Sequence, residues 1–379
     1  MTRIPLVSVI VRSMARPTLQ AALASIAAQD YPAIEVVVVA ASGAPHPPLP
    51  EPCGVHPLRL VTSAFRLARP NAANAGLDHA TGEWITFLDD DDIFLAGHIS
   101  ALMAACAEAP QARLVHSYAC AVFRDGHIEL IGQPHALVQL YERNYISLST
   151  AVFARELVAE GCRFDETFDI LEDWDFLLQL AQRTPFHFVP INAFEYHVEA
   201  GDSGLGKGGN QDTARYALFR DRIFAKWAAA RNALVERVSP YLQQARTLAQ
   251  KGRWHEAEAK CRAALEISPN DPWALNVLAM IKHGTKDISE ARAIQELAVA
   301  IRPLDVRFVY DLAVLYATPL PELPRAGEDG FLHNLAVLSR KQDDSNYARR
   351  CCERALALDP EFMPAQRLRD ELTSVGRGR

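Results

Sequence analysis

The sequence of 379 residues has no excess of positive charge, few cysteines and no long apolar run. Its 39 Lys and Arg are outnumbered by 46 Asp and Glu, and a net charge of −7 gives no electrostatic reason to expect nucleic-acid binding. The seven cysteines form no C-x-x-C pair, which argues against a zinc or disulfide framework and favours free thiols in a reducing compartment. No apolar stretch approaches the ~18 residues that span a bilayer, so we expect no transmembrane segment.

The remaining composition and the N-terminus also limit the class of protein. With 49% hydrophobic and 22% charged residues, the chain has an ordinary globular composition. Its length exceeds that of a single ordinary core, which predicts two domains. The apolar part of the N-terminal "MTRIPLVSVIVR" is too short for a secretory signal. We therefore expect a cytoplasmic protein.

The first third of the chain alternates between strand and helix signals. "LVSVIV" (6–11), "IEVVVVAA" (34–41) and "WITFLD" (84–89) are apolar and rich in β-branched residues, as strands covered on both faces require. "PTLQAALASIAAQ" (17–29) has apolar residues at helical spacing, and an Asn- and Ala-rich helix precedes the third strand. This order predicts parallel βαβ units, whose ligands bind beyond the carboxyl ends of the strands.

From about residue 238 the sequence changes to helix after helix with an internal repeat. "GRWHEAEAKCRAALEISPND" (252–271) aligns with "KDISEARAIQELAVAIRPLD" (286–305) at an offset of 34. A further copy, "SNYARRCCERALALDPEF" (345–362), follows an insertion for which the Pro-rich stretch 318–330 is the candidate. This period is typical of tetratricopeptide repeats, whereas a generic helical bundle would not keep register. The positions in register are Ala257 with Ala291, Ala264 with Ala298, Pro269 with Pro303 and Asp271 with Asp305.

The segment "WITFLDDDDIF" (84–94) places four aspartates, Asp89 to Asp92, directly after a predicted buried strand. Two carboxylates ~4 Å apart repel by about 4 kcal/mol at an effective dielectric constant near 20. The run is therefore either a solvated acidic loop or a site with positive charge among the carboxylates. Mg²⁺ and Mn²⁺ are often held by one or two carboxylates together with substrate phosphates, so the position at a strand end favours a metal shared with a nucleotide.

A second acidic motif, "FDETFDILEDWDFLLQLAQ" (164–182), lies at the start of an amphipathic helix. Acidic residues in a first helical turn commonly complement the helix dipole, which explains one or two carboxylates but not six. A carboxylate at this point also suits a general base that reaches a reacting hydroxyl. The six are Asp165, Glu166, Asp169, Glu172, Asp173 and Asp175.

Three segments of the chain together resemble the family 2 glycosyltransferases of the GT-A fold. They are "VSVIV" through "EVVVV" (7–39), "NAANAGLDHATGEWITFLDDDD" (71–92) and "FDETFDILEDWDFLLQL" (164–180). The resemblance covers about residues 5–205 and agrees with the family in order and spacing. It implies a metal-dependent, inverting glycosyltransferase of the hexosyltransferase type that moves a sugar from a nucleotide-diphosphate donor to a hydroxyl acceptor.

The fold that follows from the resemblance and the repeats has two parts. Residues 1–236 are expected to form an α/β GT-A domain, a nucleotide-diphospho-sugar transferase with a Rossmann-like mixed sheet and flanking helices. Residues 237–379 are expected to form an all-α tetratricopeptide-like helical array.

The resemblance also implies roles for individual residues. Asp91 would ligate the divalent ion, Mn²⁺ or Mg²⁺, Asp89 would face the donor ribose, and Asp173 would deprotonate the acceptor hydroxyl. His197 stands where such enzymes often place a histidine near the metal or diphosphate, so it is a candidate metal ligand, with a structural role as the alternative. A UDP-sugar is the expected donor, with GDP- and dTDP-sugars as alternatives. The other residues implied to contact the donor are Arg69, Asn71, Asn74 and Asp90.

Two stretches depart from the family pattern. "RSMA" (12–15) replaces the usual "PTYN" after the first strand, and "VAASG" (39–43) lacks the aspartate that usually meets the uracil. The second departure leaves the donor nucleobase open. Both departures also support an alternative function, in which the transferase domain is catalytically silent and the repeats act as an interaction scaffold.

The glycine-rich "GDSGLGKG" (201–208) nearly matches a phosphate-binding loop. Gly208, however, replaces the Ser or Thr that would hold Mg²⁺, and a lid over the donor site explains the glycines at least as well. A phosphate loop would make the protein a nucleotide-hydrolysing enzyme that depends on Lys207.

Stacked helical repeats usually bind extended peptides or partner proteins on their concave surface. The expected partners are therefore a nucleotide-sugar, a glycan or protein acceptor, and a protein partner or a second copy of the chain held by the repeats. The family resemblance favours a role in bacterial surface polysaccharide or glycoprotein biosynthesis.

Overall fold

The computed structural model describes residues 3–123, 126, 128–198, 212–318, 347–357 and 359–375. The chain divides into two compact units, residues 1–135 with 140–228 and residues 136–139 with 229–379. The predicted domain boundary after residue 236 lies inside the long helix Thr213–Gln250 and stays a prediction.

The N-terminal unit alternates strands and helices, and its longest helix continues into the second unit. Its strands are β1 (Val7–Ser13), β2 (Ile34–Ala40), β3 (Leu58–Val61), β4 (Trp84–Asp89), β5 (Ile93–Phe94), β6 (Leu114–Val122), β7 (Ile128–Ile131), β8 (Ala151–Ala154) and β9 (Phe186–His197). The helices of this part of the chain are α1 (Leu19–Ala27), α2 (Arg69–His79), α3 (His98–Glu108), α4 (Leu137–Leu140), α5 (Glu156–Ala159), α6 (Glu172–Ala181) and α7 (Thr213–Gln250), with a 3-10 turn at Leu148–Thr150.

In the described residues, the strands form one mixed sheet with the order β3-β2-β1-β4-β8-β6-β9-β5, and β7 pairs with β6. The first four strands of this order are parallel, as the βαβ pattern predicts. Strand β8 pairs antiparallel with both β4 and β6, which makes the sheet mixed. The predicted fold class is confirmed for this unit.

The apolar runs of the three predicted strands are buried as expected. Val9 and Val11 of β1 have no exposed surface, and they pack with α1 and α3 in one core cluster. Because β1 and β4 are parallel neighbours in register, Arg12 at the end of β1 is the direct partner of Asp89 at the end of β4. The sheet therefore brings a cation and a carboxylate together at the carboxyl ends of two central strands.

Helix α6 is held against α7 by a buried carboxylate. Asp175 has no exposed surface, and its oxygens accept hydrogen bonds from Lys226 Nζ, Trp227 Nε1 and Gln179 Nε2 at 2.9, 2.9 and 2.8 Å. Partners of this kind are what a buried charge requires. One of the six carboxylates of the second acidic motif thus has a structural contact that fixes the helix carrying Glu172 and Asp173.

The second unit is helical and keeps the period read from the sequence. Its helices are α8 (Trp254–Ile267), α9 (Pro272–Gly284), α10 (Ile288–Ile301), α11 (Val306–Ala317), α12 (residues 347–357) and α13 (Met363–Val375). Helix α10 starts at the position in the second repeat that α8 occupies in the first, and α11 likewise starts at the position of α9. The predicted tetratricopeptide-like array is confirmed, while the proposed insertion lies outside the described residues except for Thr318.

All seven cysteines are free thiols, as the sequence predicts, and all seven are buried. Across the described residues, no helix is both long and apolar enough to cross a membrane.

Two buried histidines of the sheet unit, His98 and His116, and the half-buried His135 are neutral groups, which predicts a loss of stability in mild acid. Burial lowers the pKa of His98 to about 4 and that of His135 to about 3, and it lowers the pKa of His116 well below 6.5. Because these values lie below the unfolded value of about 6.5, the unfolded chain binds protons first as the pH falls. The stabilisation is therefore complete above pH 6.5 and is lost progressively toward pH 4.

We test this with His98→Gln, because His98 stacks on Phe94 and its Nε2 lies 3.2 Å from the Ser149 carbonyl oxygen. Between pH 7 and pH 5 the wild type should lose about 2 kcal/mol more unfolding free energy than the variant does. The measurement is urea denaturation of the full chain at both pH values. Equal losses in the two proteins would contradict the assignment.

Candidate active site

The positive charge among the aspartates comes first from Arg12. Its Nε donates to Asp89 Oδ1 at 2.8 Å and its Nη2 donates to Asp89 Oδ2 at 2.9 Å, which is the bidentate arrangement that arginine favours. Arg69 approaches the same carboxylate, with Nη2 3.9 Å from Asp89 Oδ2. Burial works to raise the pKa of Asp89, but the charges of Arg12 and Arg69 outweigh it and the pKa is lowered. Asp89 is therefore a firmly ionised group.

A third guanidinium, that of Arg16, lies beside the next two aspartates. Arg16 Nη1 donates to Asp90 Oδ1 at 2.6 Å and lies 3.3 Å from Asp91 Oδ2. The other Asp90 oxygen accepts from the Met14 backbone N–H at 2.7 Å. Burial and the charge of Asp89 raise the pKa of Asp91. Asp90 is thus hydrogen-bonded to the loop after β1, while the surroundings of Asp91 disfavour its ionised form.

His197 and the last aspartate of the run meet across the sheet. The His197 backbone N–H donates to Asp92 Oδ1 at 3.0 Å, and the ring Nδ1 lies 2.9 Å from the Asp91 carbonyl oxygen. Burial, with the charges of Asp89 and Asp91, raises the pKa of Asp92 well above its usual range. The four aspartates therefore do not carry four equal charges, which is how the fold tolerates the run.

A strained residue sets the direction of the second acidic motif. Leu171, the residue before α6, has φ +59° and ψ +19°, a left-handed conformation that costs a non-glycine residue about 1 kcal/mol. Strain of this kind is common at functional sites. The turn it makes places Glu172 and Asp173 at the first two positions of α6.

Glu172 joins the two acidic motifs through arginine. It has no exposed surface, and its Oε1 accepts from Arg12 Nη1 at 2.9 Å and from Arg69 Nε at 2.8 Å. Burial opposes its ionisation, but the charges of Arg69 and Arg12 lower the pKa of Glu172. Its Oε2 has no hydrogen-bond partner among the described residues. Asp89, Arg12, Arg69 and Glu172 form one continuous cluster, which we call the arginine bridge.

Asp173 lies beside this bridge. Its Oδ2 accepts from Asn144 Nδ2 at 3.1 Å and its Oδ1 from the Trp174 backbone N–H at 2.8 Å. Burial and the neighbouring charge of Glu172 raise the pKa of Asp173 to about 6. A carboxylate with a pKa near the working pH can accept a proton and release it again, as a general base must.

Besides Arg69, two predicted donor-contacting residues, Asn71 and Asn74, lie on α2 and have different surroundings. The Asn74 side chain is buried and both donates to and accepts from the Phe164 backbone, at 2.9 and 3.0 Å, so that it holds the segment before α6. Its Nδ2 also lies 3.3 Å from Glu166. Asn71 is half-buried in the first turn of the same helix. Their contacts with a donor stay predictions.

Sequence reasoning missed three residues of this site. The sequence singles out Arg12 only as part of the "RSMA" departure from the family pattern, and it singles out neither Arg16 nor Asn144. The sequence contains a signal for Arg12, because a charged residue at the carboxyl end of one buried parallel strand lies beside the end of the neighbouring strand, here Asp89. Asn144 lies in a loop and reaches Asp173 only through the tertiary fold.

Matches to family models cover parts of both units. Residues 8–120 match the model described as Glycosyl transferase family 2, and residues 248–309 match the one described as Tetratricopeptide repeat. The chain therefore carries a family 2 glycosyltransferase domain followed by tetratricopeptide repeats, and the recognition made from the sequence is confirmed.

Individual proteins are similar to parts of the chain. The amylovoran biosynthesis glycosyltransferase AmsB of Erwinia amylovora is 28% identical over 176 residues, 43% of this chain and 56% of AmsB. The uncharacterized glycosyltransferase YwdF of Bacillus subtilis (strain 168) is 27% identical over 222 residues, 55% of this chain and 79% of YwdF. The chain thus matches a little over half the length of AmsB. A crystal structure of S. aureus TarS 1–349 in complex with UDP-GlcNAc aligns over 99% of this chain and 93% of that chain, with 14% identity and a TM-score of 0.44.

Proposed function

We propose that the protein is an inverting glycosyltransferase that moves a sugar from a nucleotide-diphosphate donor to a hydroxyl acceptor. The observation that carries this proposal is Asp173, a carboxylate with a pKa of about 6 placed beside the arginine bridge at the carboxyl ends of β1 and β4. The family 2 match over residues 8–120 supports the same reaction class.

In the proposed reaction, Asp173 takes the proton of the acceptor hydroxyl as that oxygen attacks the anomeric carbon of the sugar. The new glycosidic bond forms on the face opposite the leaving diphosphate, which departs with the electron pair of the broken carbon–oxygen bond. Asn144 donates a hydrogen bond to Asp173 Oδ2 and so fixes the orientation of the carboxylate. General-base assistance of this kind typically contributes 10²- to 10⁴-fold in rate.

The donor is proposed to lie along the Asp89–Asp91 side of the site. Asp89, Asp90 and Arg69 would contact it, together with Asn71 and Asn74. A guanidinium matches the geometry of phosphate oxygens, so Arg69, about one-third exposed, suits the diphosphate. A UDP-sugar is the proposed donor, and GDP- and dTDP-sugars are the alternatives to be measured beside it.

Asp91 and His197 are the residues proposed to hold a divalent cation. If His197 Nδ1 donates to the Asp91 carbonyl oxygen, the ligand atom is Nε2, which lies 3.9 Å from Glu195 Oε2; this tautomer is usual for metal-binding histidines. Among the described residues, no group of three His, Cys, Asp or Glu side chains could hold a metal ion, so donor phosphate oxygens would have to complete the coordination. Bound Mn²⁺ or Mg²⁺ would neutralise charge on the diphosphate leaving group.

The test is calorimetric titration of UDP, GDP and dTDP into the full chain, with and without Mn²⁺. We expect one nucleotide to bind in a metal-dependent manner, and we expect Asp91→Ala to lose at least roughly tenfold in that affinity because a carboxylate ligand is gone. Asp169→Ala is the matched control, since Asp169 is exposed and lies 3.6 Å from Arg215. Affinity that is equal with and without metal in wild type and Asp91→Ala would remove Asp91 from this role.

The repeats are proposed to bind a protein: a protein acceptor, a biosynthetic partner or a second copy of the chain. This proposal rests on the family match over residues 248–309 and on the concave surface that such repeats present.

A role in bacterial polysaccharide biosynthesis is proposed from the similarity to AmsB, which is named for amylovoran biosynthesis. The silent-scaffold alternative loses part of its support, because Arg12 of the altered "RSMA" stretch contacts both acidic motifs. The glycine-rich stretch and Lys207 lie outside the described residues.

A further inference from the structure

Arg12 is an unusual residue for the end of a buried central strand. Only 10% of its side chain is exposed, and its cation is compensated entirely by site carboxylates, two bonds to Asp89 and one to Glu172. A buried guanidinium is costly unless it is paired and hydrogen-bonded. The carboxylates of Asp89 and Glu172 therefore fix the position of the Arg12 guanidinium, and the guanidinium in turn fixes theirs.

We infer that Arg12 is a positioning residue of the transfer reaction, which locks the donor-side Asp89 and the Glu172–Asp173 pair into one rigid array. The inference rests on the proposed function, since it assigns Arg12 a part in that same site. Asp89 comes from the end of β4 and Glu172 from the start of α6, two elements that are distant in the chain. Through Arg12, their separation is set by two sets of charge-assisted hydrogen bonds.

The same contact controls the charge that Asp173 experiences. The groups that act on Asp173 are two on its own helix and three from other elements: Glu172 and the Trp174 backbone N–H, Arg69 on α2, Arg12 on β1 and the Asn144 amide. Glu172 favours the protonated form of Asp173, and the two arginines favour the ionised form. Removing the Arg12 cation leaves Glu172 less compensated, so Asp173 should hold its proton to a higher pH.

This prediction can be measured without turnover. The Trp174 backbone N–H donates to Asp173 Oδ1, so its ¹⁵N shift reports the ionisation of that carboxylate. Selective ¹⁵N-tryptophan labelling gives five backbone amide signals, and the Trp174 signal is identified by the loss of its titration in Asp173→Asn. We expect a midpoint near pH 6 in the wild type and a midpoint roughly half a pH unit or more higher in Arg12→Gln. Arg113→Gln, which removes a guanidinium from a distant pair with Glu160, should leave the midpoint unchanged.

Turnover with the donor identified by calorimetry is then measured across the same pH range. In Arg12→Gln, kcat should fall at every pH. It should fall roughly threefold further at pH 5.5 than at pH 8, because the acid limb of the pH profile of kcat follows the pKa of Asp173. Arg12→Lys keeps the charge but cannot bridge two carboxylates through a planar fork. It should therefore restore the Trp174 midpoint while kcat stays at least roughly tenfold below the wild type.

Several outcomes would overturn the inference. An unshifted Trp174 midpoint in Arg12→Gln would do so even if no donor is turned over, which separates this inference from the proposed function. A uniform loss of kcat with an unmoved acid limb would reduce Arg12 to a structural residue. If Arg12→Gln does not fold, a wild-type kcat in Arg12→Lys would overturn the positioning role by itself.

Discussion

Asp173→Asn should abolish glycosyl transfer while leaving donor binding within about twofold of the wild type. The substitution keeps the size of the side chain and an oxygen that can accept from Asn144 or from the Trp174 N–H, but it removes the ability to take a proton. A general base contributes 10²- to 10⁴-fold, so we expect kcat to fall by about 10³-fold. The measurement is release of the nucleotide diphosphate over time, with donor affinity determined separately by calorimetry.

The control for this prediction is Asp169→Asn, the same change in the same acidic motif. Asp169 is exposed, and its ion-pair partner is Arg215 at 3.6 Å, away from the arginine bridge. We expect this variant to retain wild-type kcat. Near-normal turnover in Asp173→Asn would remove Asp173 from the base role, whereas an equal loss in both variants would indicate a general defect of the motif.

Glu172→Gln should destabilise the N-terminal unit by about 3 kcal/mol at pH 7. One Glu172 oxygen accepts from both Arg12 and Arg69, and the residue has no exposed surface. The variant keeps an acceptor but leaves the buried guanidinium of Arg12 and the partly exposed guanidinium of Arg69 with Asp89 as their counter-charge. Breaking a buried pair from one side is costly because the remaining charge stays desolvated.

The same substitution should move the titration of Asp173 in the direction opposite to that of Arg12→Gln. Burial is the largest cause of the raised pKa of Asp173, and the charge of Glu172 is the next. Without that charge the pKa should fall toward the ordinary aspartate range, so the acid limb of kcat should move to lower pH. Opposite shifts in the two variants would be hard to produce by general loosening of the site.

Stability is measured by urea denaturation and the titration by the Trp174 amide. The control is Glu160→Gln, which removes the same charge from the exposed pair with Arg113. Exposed pairs contribute little to stability, so the control should change the unfolding free energy far less than Glu172→Gln does. Equal stability of Glu172→Gln and the wild type would contradict the account of the arginine bridge.

The sequence predicted those parts of the fold that depend on residues close together in the chain. The apolar runs of β1, β2 and β4 and the period of the helical repeats depend on neighbours within one element or one repeat, and both are confirmed. The long β6–β9 pairing is set by contacts between strands that are distant in the chain, and no local pattern specifies it. The left-handed turn at Leu171 is likewise imposed by the tertiary structure, since leucine has no intrinsic preference for it.

The candidate site divides in the same way. The Asp89–Asp92 run and the Glu172–Asp173 pair could be found because carboxylates at a strand end and at a helix start are visible in the sequence. Their compensation by arginine depends on the register of β1 with β4 and on the docking of α6, which only the fold supplies. Positive charge among the four aspartates is therefore supplied by arginine side chains of this chain. A metal at Asp91 and His197 would add to it.

The most direct test of the central claim is to follow the anomeric carbon of the donor. Nucleotide sugars of the UDP, GDP and dTDP series, labelled with ¹³C at that carbon, are incubated with the full chain, Mn²⁺ and a simple alcohol as hydroxyl acceptor. We predict a new glycoside signal of inverted configuration from one donor with the wild type, and no such signal with Asp173→Asn. Retained configuration in the product, or a product formed equally well by Asp173→Asn, would contradict the account.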